Sequence, residues 1–510
     1  MQTGVRDTTT AGAGSGARRR RGATSTARKR RAHWAHAMRP YGWLPHGDVA
    51  ARLTLLGLVI ALQNFIELPR APLRNALGKP LTGLVIVAAL AVSLLLLLLA
   101  LRPRLPGWRW LRSRWTQTVV LALTLAACVI GVNQVGALLT SGFHAPLYPN
   151  DGTTLDHYAA QQLLEGHNPY VTVNIIAAVR LYGQDAEHTT PLGEGVFAPL
   201  YPHGYPTNQQ MRAVFALEPA DNPNAAHEFE SRVSYPALAF LPLVPVVWLG
   251  LPSVVPFFAL CFFALVLLLL FSVPPELRLW VGLLALADAP LLNATVAGDL
   301  DVLYILLLFV AWRWWRRPLL STLFLGLAIA AKQLAWFFLP YYAILVWREY
   351  GWRAAAKCLA GAGAIFLLIN GPFIVNNPQA WLAGVLAPQV DKMFPLGNGL
   401  VQLSLAGLLP LPPQIVYTAL EGLAILGCIA WYWRYGRRMP EVGFVLAVLP
   451  LFFAWRSLTT YFYFVALPAV VLLLWRMWQE GTLFASRASV VASPQVARSA
   501  KRWARTIRRR

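Results

Sequence analysis

Long apolar segments alternate with short polar segments along most of the chain. The clearest are residues 81–101, which are 21 residues without a charge, and residues 117–142, which are 26 residues without one. A helix needs about 18 or more consecutive apolar residues to cross a bilayer, so both segments predict spanning helices. Ten weaker or shorter apolar segments continue the pattern: 49–68, 253–272, 279–297, 302–315, 319–331, 334–347, 358–375, 414–433, 442–455 and 461–475. The pattern predicts an all-α polytopic membrane protein with about 12 transmembrane helices.

One apolar run decides the direction of every later crossing. Residues 319–347 are 29 residues long, with Lys332 near the middle. As a single span they would bury Lys332 at the bilayer centre, at a cost of roughly 3 kcal/mol or more. As two short helices, each about 20 Å long at 1.5 Å per residue, they place Lys332 at the tip between them. We therefore predict two helices.

Composition and charge support a membrane protein. The chain is 57% hydrophobic and 13% charged, whereas soluble domains are about 45–50% apolar and about 25% charged. A net charge of +22 would suggest nucleic acid in a soluble protein, but 19 of the 44 Lys and Arg residues lie in residues 1–48 and 476–510. These ends lack the apolar residues of a folded core. We predict that they contact anionic membrane lipids, with no nucleic-acid partner.

The distribution of Lys and Arg also predicts the orientation. With the N-terminus in the cytoplasm, the predicted cytoplasmic segments hold 34 of these residues and the opposite segments hold 9, as the positive-inside rule requires. We therefore expect a multi-pass protein of the cell membrane with both termini cytoplasmic.

The predicted topology divides the chain into four parts. Residues 1–48 and 476–510 are disordered basic tails, and residues 49–116 contain two additional spans and a basic cytoplasmic loop. Residues 117–475 form the main transmembrane part, which holds the candidate site residues described below. Within it, residues 143–252 form a long outer loop with juxtamembrane helices, carrying ten acidic residues against three basic ones. A loop of this length usually has a function.

Two carboxylates lie at the start of this loop, in PNDGTTLDHYAAQQLLEGHNPY (149–170). Apolar residues at helical spacing predict a short helix that ends before Gly166. With Thr153 or its neighbour as N-cap, Asp156 occupies a first-turn position that favours an acid. Asp151 lies in the preceding turn, outside the helical pattern. A carboxylate at the membrane boundary is suited to accept a proton from a hydroxyl group, and both are candidate catalytic residues.

Other outer turns supply the remaining candidates for donor-phosphate or substrate binding. AGDLD (297–301) places Asp299 and Asp301 at a helix start, where capping accounts for only one acid. Lys332 and Arg456 are predicted at outer helix tips, where they could stabilise a phosphate leaving group. Tyr461, at the start of the last predicted span, completes the set.

These segments together resemble a known superfamily. Asp151 shortly after a span, AAQQLLEGHNPY (159–170), SYPALAFLPLVP (234–245), AGDLDVLYILLL (297–308) and GLAIAAKQLAWFFLP (326–340) look like the GT-C glycosyltransferases. They are closest to the polyprenyl-phosphate-mannose-dependent mannosyltransferases, over roughly residues 117–475. The resemblance implies that Asp151 is the catalytic base and that Asp301 and Lys332 have site roles. Relatives often carry Gly-Gln where this chain has Gly298-Asp299.

The residues also indicate the class of donor. No Gly-rich phosphate loop or Rossmann pattern for a nucleotide sugar is readable, so a sugar carried on polyprenyl phosphate fits an outward-facing loop. We predict inverting transfer of a hexose, mannose by the resemblance, to a hydroxyl of a glycan or lipid acceptor.

The sequence gives no pattern that assigns a metal or a cofactor. We expect no organic cofactor and assign no metal site, because six histidines in the outer loop lack ligand spacing. The sequence leaves open whether a divalent cation is held by Asp151 together with Asp299 or Asp301. The four cysteines lie singly in apolar runs and indicate neither disulfides nor a thiolate site.

Two alternatives come from other classes of protein. A transporter or lipid flippase is suggested by Asp288 and Glu421, which lie inside predicted spans, where acids often mark ion paths. A non-catalytic assembly scaffold would use the tails and the outer loop as binding surfaces.

Overall fold

The computed structural model describes residues 47–144, 148–217 and 227–483. The chain divides into two compact units, residues 51–480 and the two ends, 1–50 and 481–510. Of the ends, only residues 47–50 and 481–483 are described. Most of both predicted tails therefore lies outside the described residues.

Helices dominate the unit of residues 51–480. In chain order the helices are α1 Asp48–Glu67, α2 Arg70–Ala100, α3 Arg114–Thr140, α4 Asp151–Leu164, α5 Pro169–Thr172, α6 Ile175–Leu181, α7 Asn208–Leu217, α8 Val244–Trp248, α9 Val255–Ser272, α10 Pro275–Ala287, α11 Ala289–Val296, α12 Asp301–Arg313, α13 Pro318–Ala331, α14 Leu339–Tyr350, α15 Trp352–Asn376, α16 Pro378–Val390, α17 Val401–Leu405, α18 Gln414–Tyr435, α19 Val442–Val448 and α20 Thr460–Gln479. Two short strands, β1 Leu396–Gly397 and β2 Arg456–Ser457, pair in parallel.

Seven of these helices are long and apolar enough to cross a membrane: α1, α2, α3, α9, α15, α18 and α20. The bent pair α10 and α11 makes an eighth when it is taken as one span. Each of the 12 predicted segments coincides with a helix or a broken helix, so the all-α membrane fold is confirmed. The number of crossings stays a prediction, because α12, α13, α14 and α19 are shorter.

The run of residues 319–347 is broken where the sequence analysis predicted. Helix α13 ends at Ala331, and Lys332 adopts an extended backbone with φ −148° and ψ 140°. A 3-10 turn, Gln333–Phe338, then leads into α14. The prediction of two short helices is confirmed, and Lys332 lies at the break between them.

The break between α10 and α11 has a local cause. Asp288 follows the last residue of α10 and its carboxylate caps α11, accepting a hydrogen bond from the Leu291 amide at 3.2 Å. The two helices meet at 59°. The capping role accounts for Asp288 inside an apolar segment, and it removes the main support for an ion path at this residue.

The core lies around helices α12 and α20, which are buried along most of their length. Helices that are apolar all round belong in a protein interior. Near one end of these helices, Arg313 of α12 stacks on Trp475 of α20, with the guanidinium carbon 3.7 Å from the ring centroid. We call the end of the helices that carries Arg313 and Trp475 the opposite end. The loop end is the end from which residues 148–254 extend.

Two segments distant in sequence meet at the loop end. Strand β1 pairs with β2 so that Leu396 lies opposite Arg456. The indole of Trp455 donates a hydrogen bond to the Met393 carbonyl at 2.8 Å, and Leu192 forms a bridge with Met393. These contacts bring the loop of residues 182–207 next to the segment that carries Arg456.

Candidate functional site

A buried group of opposite charges lies at the break between α13 and α14. Lys332 Nζ is 2.9 Å from Asp301 Oδ1 and 3.9 Å from Asp299 Oδ1. Lys332 is 5% exposed and Asp301 is 1% exposed. Two aromatic rings face the ammonium, that of Tyr235 at 5.0 Å and that of Tyr304 at 5.9 Å from ring centroid to Nζ. A charge this deeply buried needs an opposite charge beside it, which Asp301 supplies.

Asp156 belongs to the same buried group, and its predicted capping role is wrong. Helix α4 is capped by Asn150, whose side-chain oxygen accepts from the Thr153 amide at 2.8 Å. Asp156 therefore lies in the second turn, 2% exposed. Burial raises its pKa to about 8, although Lys332 acts in the other direction. Asp156 is mostly protonated at neutral pH, which makes it a poor proton acceptor there.

Asp151 is the first residue of α4, so the prediction that it lies in a turn outside the helix is also wrong. The side chain remains partly exposed. Its Oδ2 accepts a hydrogen bond from the Thr190 amide at 2.9 Å. Within the described residues this carboxylate makes no ion pair. It is thus oriented by the backbone of the outer loop and open on its other side.

The start of α4 is fastened to the turn that carries the other acids. The Thr153 hydroxyl donates to the carbonyl oxygens of Ala297, at 3.0 Å, and Gly298, at 2.9 Å. Gly298 has φ +74°, and a Cβ there would lie 2.5 Å from Thr153 Cγ2. Only glycine fits this conformation and this close approach. Asp299 follows directly, so the contact fixes the spacing between α4 and the buried charges.

Arg456 lies on strand β2 and not at a helix tip, which corrects the prediction. The side chain is partly exposed and makes no ion pair with a carboxylate in the part of the chain that the structure describes. Tyr461, in the first turn of α20, interacts electrostatically with Arg456 and with Lys332. Tyr205 interacts in the same way with Arg456 and Asp151. These shared neighbours bring the two chain segments to one site.

The seven predicted site residues are thus brought together in two layers. The ion core consists of the buried side chains Asp156, Asp301 and Lys332. The rim consists of the partly exposed side chains Asp151, Asp299, Arg456 and Tyr461. The rim offers a carboxylate that can accept a proton and a guanidinium that can bind phosphate.

Three further side chains at the site were not predicted from the sequence. Tyr235 is part of the SYPALAF segment, but no pattern marked its ring as a neighbour of Lys332. Tyr205 lies in a loop without periodicity. Glu67 ends α1, and its Oε1 accepts hydrogen bonds from the Thr459 hydroxyl at 2.8 Å and the Tyr463 hydroxyl at 2.6 Å. The N-terminal spans lay outside the resemblance, so Glu67 could not have been connected with Arg456.

His157 of the outer loop has structural contacts. His157 is buried, stacks on the Tyr182 ring at 4.2 Å between centroids, and has Nδ1 3.0 Å from the Tyr148 hydroxyl. Burial lowers its pKa to about 4. Among the described residues, no three His, Cys, Asp or Glu side chains are arranged to hold a metal ion. Lys332 is the cation that neutralises Asp301 in this structure.

Comparison with known proteins adds one match. Residues 234–455 match the model of glycosyltransferase family 87, a family of GT-C type integral-membrane proteins. The matched region contains Asp299, Asp301 and Lys332, and it ends one residue before Arg456. Searches of curated proteins and of solved structures found no match.

Proposed function

Residues 234–455 match the model of glycosyltransferase family 87, and we propose that the chain is a membrane glycosyltransferase. It transfers a hexose, with mannose as the first candidate, from a polyprenyl-phosphate sugar to a hydroxyl of a glycan or lipid acceptor. One observation carries the proposal. A carboxylate, Asp151, and a guanidinium, Arg456, are both partly exposed, and both interact electrostatically with Tyr205.

The proposed reaction is a direct displacement. Asp151 removes the proton from the acceptor hydroxyl, and the oxygen forms a bond to the anomeric carbon of the donor sugar. The bond from that carbon to the phosphate oxygen breaks, and polyprenyl phosphate leaves with the bonding electrons. Arg456 stabilises the charge on the departing phosphate, and the configuration at the anomeric carbon is inverted.

Lys332 has a different role in this proposal from that of Arg456. It is almost fully buried and paired with Asp301, so it does not bind the phosphate directly. It neutralises the carboxylates beneath the rim and holds Asp299 at the entrance. A positive charge fixed in a buried site also favours negative charge developing nearby.

The orientation is part of the proposal. We place the loop end outside the cytoplasm, because the 34 Lys and Arg residues of the other predicted segments then lie inside. A sugar that arrives on a lipid reaches such a site without crossing the membrane again. The protein then belongs in the cell membrane with both termini cytoplasmic.

The reaction is tested with purified protein and labelled polyprenyl-phosphate mannose. Asp151→Asn is expected to lower kcat at least 100-fold, since general base catalysis contributes about 100-fold to 10,000-fold. Arg456→Gln is expected to raise the KM for the donor. The matched control is Arg434→Gln, an exposed arginine of α18 outside the site, which should behave as wild type. Full turnover by Asp151→Asn would remove this residue from the mechanism.

The orientation is tested by labelling single introduced cysteines in intact cells. All four native cysteines are buried, so background labelling should be low. A membrane-impermeant maleimide should react with Lys392→Cys, which lies in the outer segment, and not with Arg434→Cys. The reverse pattern would place the site in the cytoplasm and exclude a donor presented on the outer face.

A further inference from the structure

A row of aromatic rings runs along the rim beside Arg456. The rings of Tyr201 and Phe394 are 5.5 Å apart, those of Tyr205 and Phe394 are 5.6 Å apart, and Tyr201 and Trp455 are 6.5 Å apart. Trp455 directly precedes Arg456 in the chain and is anchored through its indole to the Met393 carbonyl. The row is therefore rigidly attached to the segment that carries the proposed phosphate-binding residue.

Tyr205 is the open end of this row. Phe394 is 1% exposed and Trp455 is 6% exposed, whereas Tyr205 is 47% exposed. Burial nevertheless raises the pKa of the Tyr205 phenol, and its hydroxyl interacts with the charges of Arg456 and Asp151. The Tyr205 ring contacts Phe394 edge to face, and about half of the residue surface stays accessible to a ligand.

The location of Tyr205 separates it from the usual aromatic belt of membrane proteins. Belt residues lie at the membrane surface and anchor helices there. Tyr205 lies in the loop of residues 182–207, and it interacts electrostatically with Arg456 and Asp151. A donor held by its lipid enters from the side of the helices, so the face of the site formed by this loop is left for the acceptor.

We propose that Tyr205 stacks on a sugar ring of the acceptor, so that the acceptor of this enzyme is a carbohydrate. The proposal rests on the proposed function. The face of an aromatic ring is electron-rich and attracts the positively polarised hydrogens of an apolar surface, and sugar rings present such hydrogens on one face. Stacking there places a sugar hydroxyl within reach of Asp151 while Arg456 holds the donor phosphate.

The experiment compares two acceptors that differ only in the sugar ring. Transfer from labelled polyprenyl-phosphate mannose is measured to octyl mannoside and to 1-octanol, and release of free mannose by water is measured without an acceptor. The variants are Tyr205→Leu, which removes the ring, and Tyr205→Phe and Tyr205→Trp, which keep one. Tyr350→Leu is the matched control, because Tyr350 is 50% exposed on α14 outside the row.

Tyr205→Leu is expected to raise the KM for octyl mannoside roughly tenfold, the effect of one lost aromatic contact. The donor KM, hydrolysis by water and the low transfer to octanol should stay as in wild type, and the Phe and Trp variants should keep the low KM. An unchanged KM for octyl mannoside in Tyr205→Leu, or an equal rise in the donor KM, would overturn the proposal. Absence of both transfer and hydrolysis in wild type would instead refute the proposed function itself.

Discussion

Replacing Asp156 by asparagine should leave transfer nearly intact at pH 7, in contrast to the same change at Asp151. Burial raises the pKa of Asp156 to about 8, so most molecules carry the neutral acid at pH 7. Asparagine has nearly the shape of that neutral acid. Asp156→Asn is therefore expected to keep kcat within about twofold at pH 7, whereas Asp151→Asn should lose about 100-fold or more.

The raised pKa of Asp156 also predicts how the stability of the protein changes with pH. The pKa of Asp156 rises on folding from its usual 3.8 to about 8, so the folded protein keeps a proton that the unfolded chain releases between these values. The stabilisation by that proton is complete below pH 4 and is lost as the pH rises to about 8. The wild type should lose thermal stability relative to Asp156→Asn between pH 5 and pH 8.

The assay combines initial rates of transfer from pH 5 to pH 9 with thermal midpoints in the same detergent. Wild-type activity should decline above pH 8 as Asp156 ionises beside Asp299, and Asp156→Asn should decline less. A folded Asp156→Asn variant that is as inactive at pH 7 as Asp151→Asn would refute this reasoning and make Asp156 the base.

Three further predictions concern the architecture around the rim. Lys332→Met should lower the free energy of unfolding by about 3–5 kcal/mol because it leaves a buried carboxylate unpaired, and adding Asp301→Asn should recover part of that loss in thermal melts. Gly298→Ala should abolish transfer and lower the melting temperature, since the positive φ costs about 1–2 kcal/mol and the new Cβ would overlap the neighbouring threonine. Gly250→Ala, with φ +72° and nothing within 4 Å, is its control and should keep full activity. Glu67→Leu should raise the donor KM severalfold because two hydroxyls near Arg456 lose their acceptor, whereas Glu67→Gln, which keeps an acceptor oxygen, should stay near the wild-type KM.

The helices and the break at Lys332 could be predicted because they depend on local properties. The apolar length of each segment decides whether it can span a bilayer. A charged residue in the middle of an apolar run is costly to bury in the bilayer, so the helix breaks at that residue. Asp299 and Asp301 were also readable as a pair, because capping could account for only one of them. In each case the deciding energy belongs to residues close together in the chain.

The placement of the two loop carboxylates depended on contacts that are distant in sequence. Asn150 caps α4 because the Thr153 hydroxyl bonds to the backbone of residues 297 and 298. That moves the helix start to Asp151 and leaves Asp156 buried, where it interacts electrostatically with Lys332. Arg456 could not be placed on a strand either, because its partner strand lies 60 residues earlier in the chain and is two residues long.

The residues of the site lie partly inside and partly outside the region that matches the family model. The family match covers Asp301 and Lys332 of the ion core, which are almost fully buried. The groups that meet substrate in the proposed reaction, Asp151 and Arg456, lie outside the matched residues. If the proposed reaction is right, the matched helical core supports the site, and the segments outside the match select the donor and the acceptor.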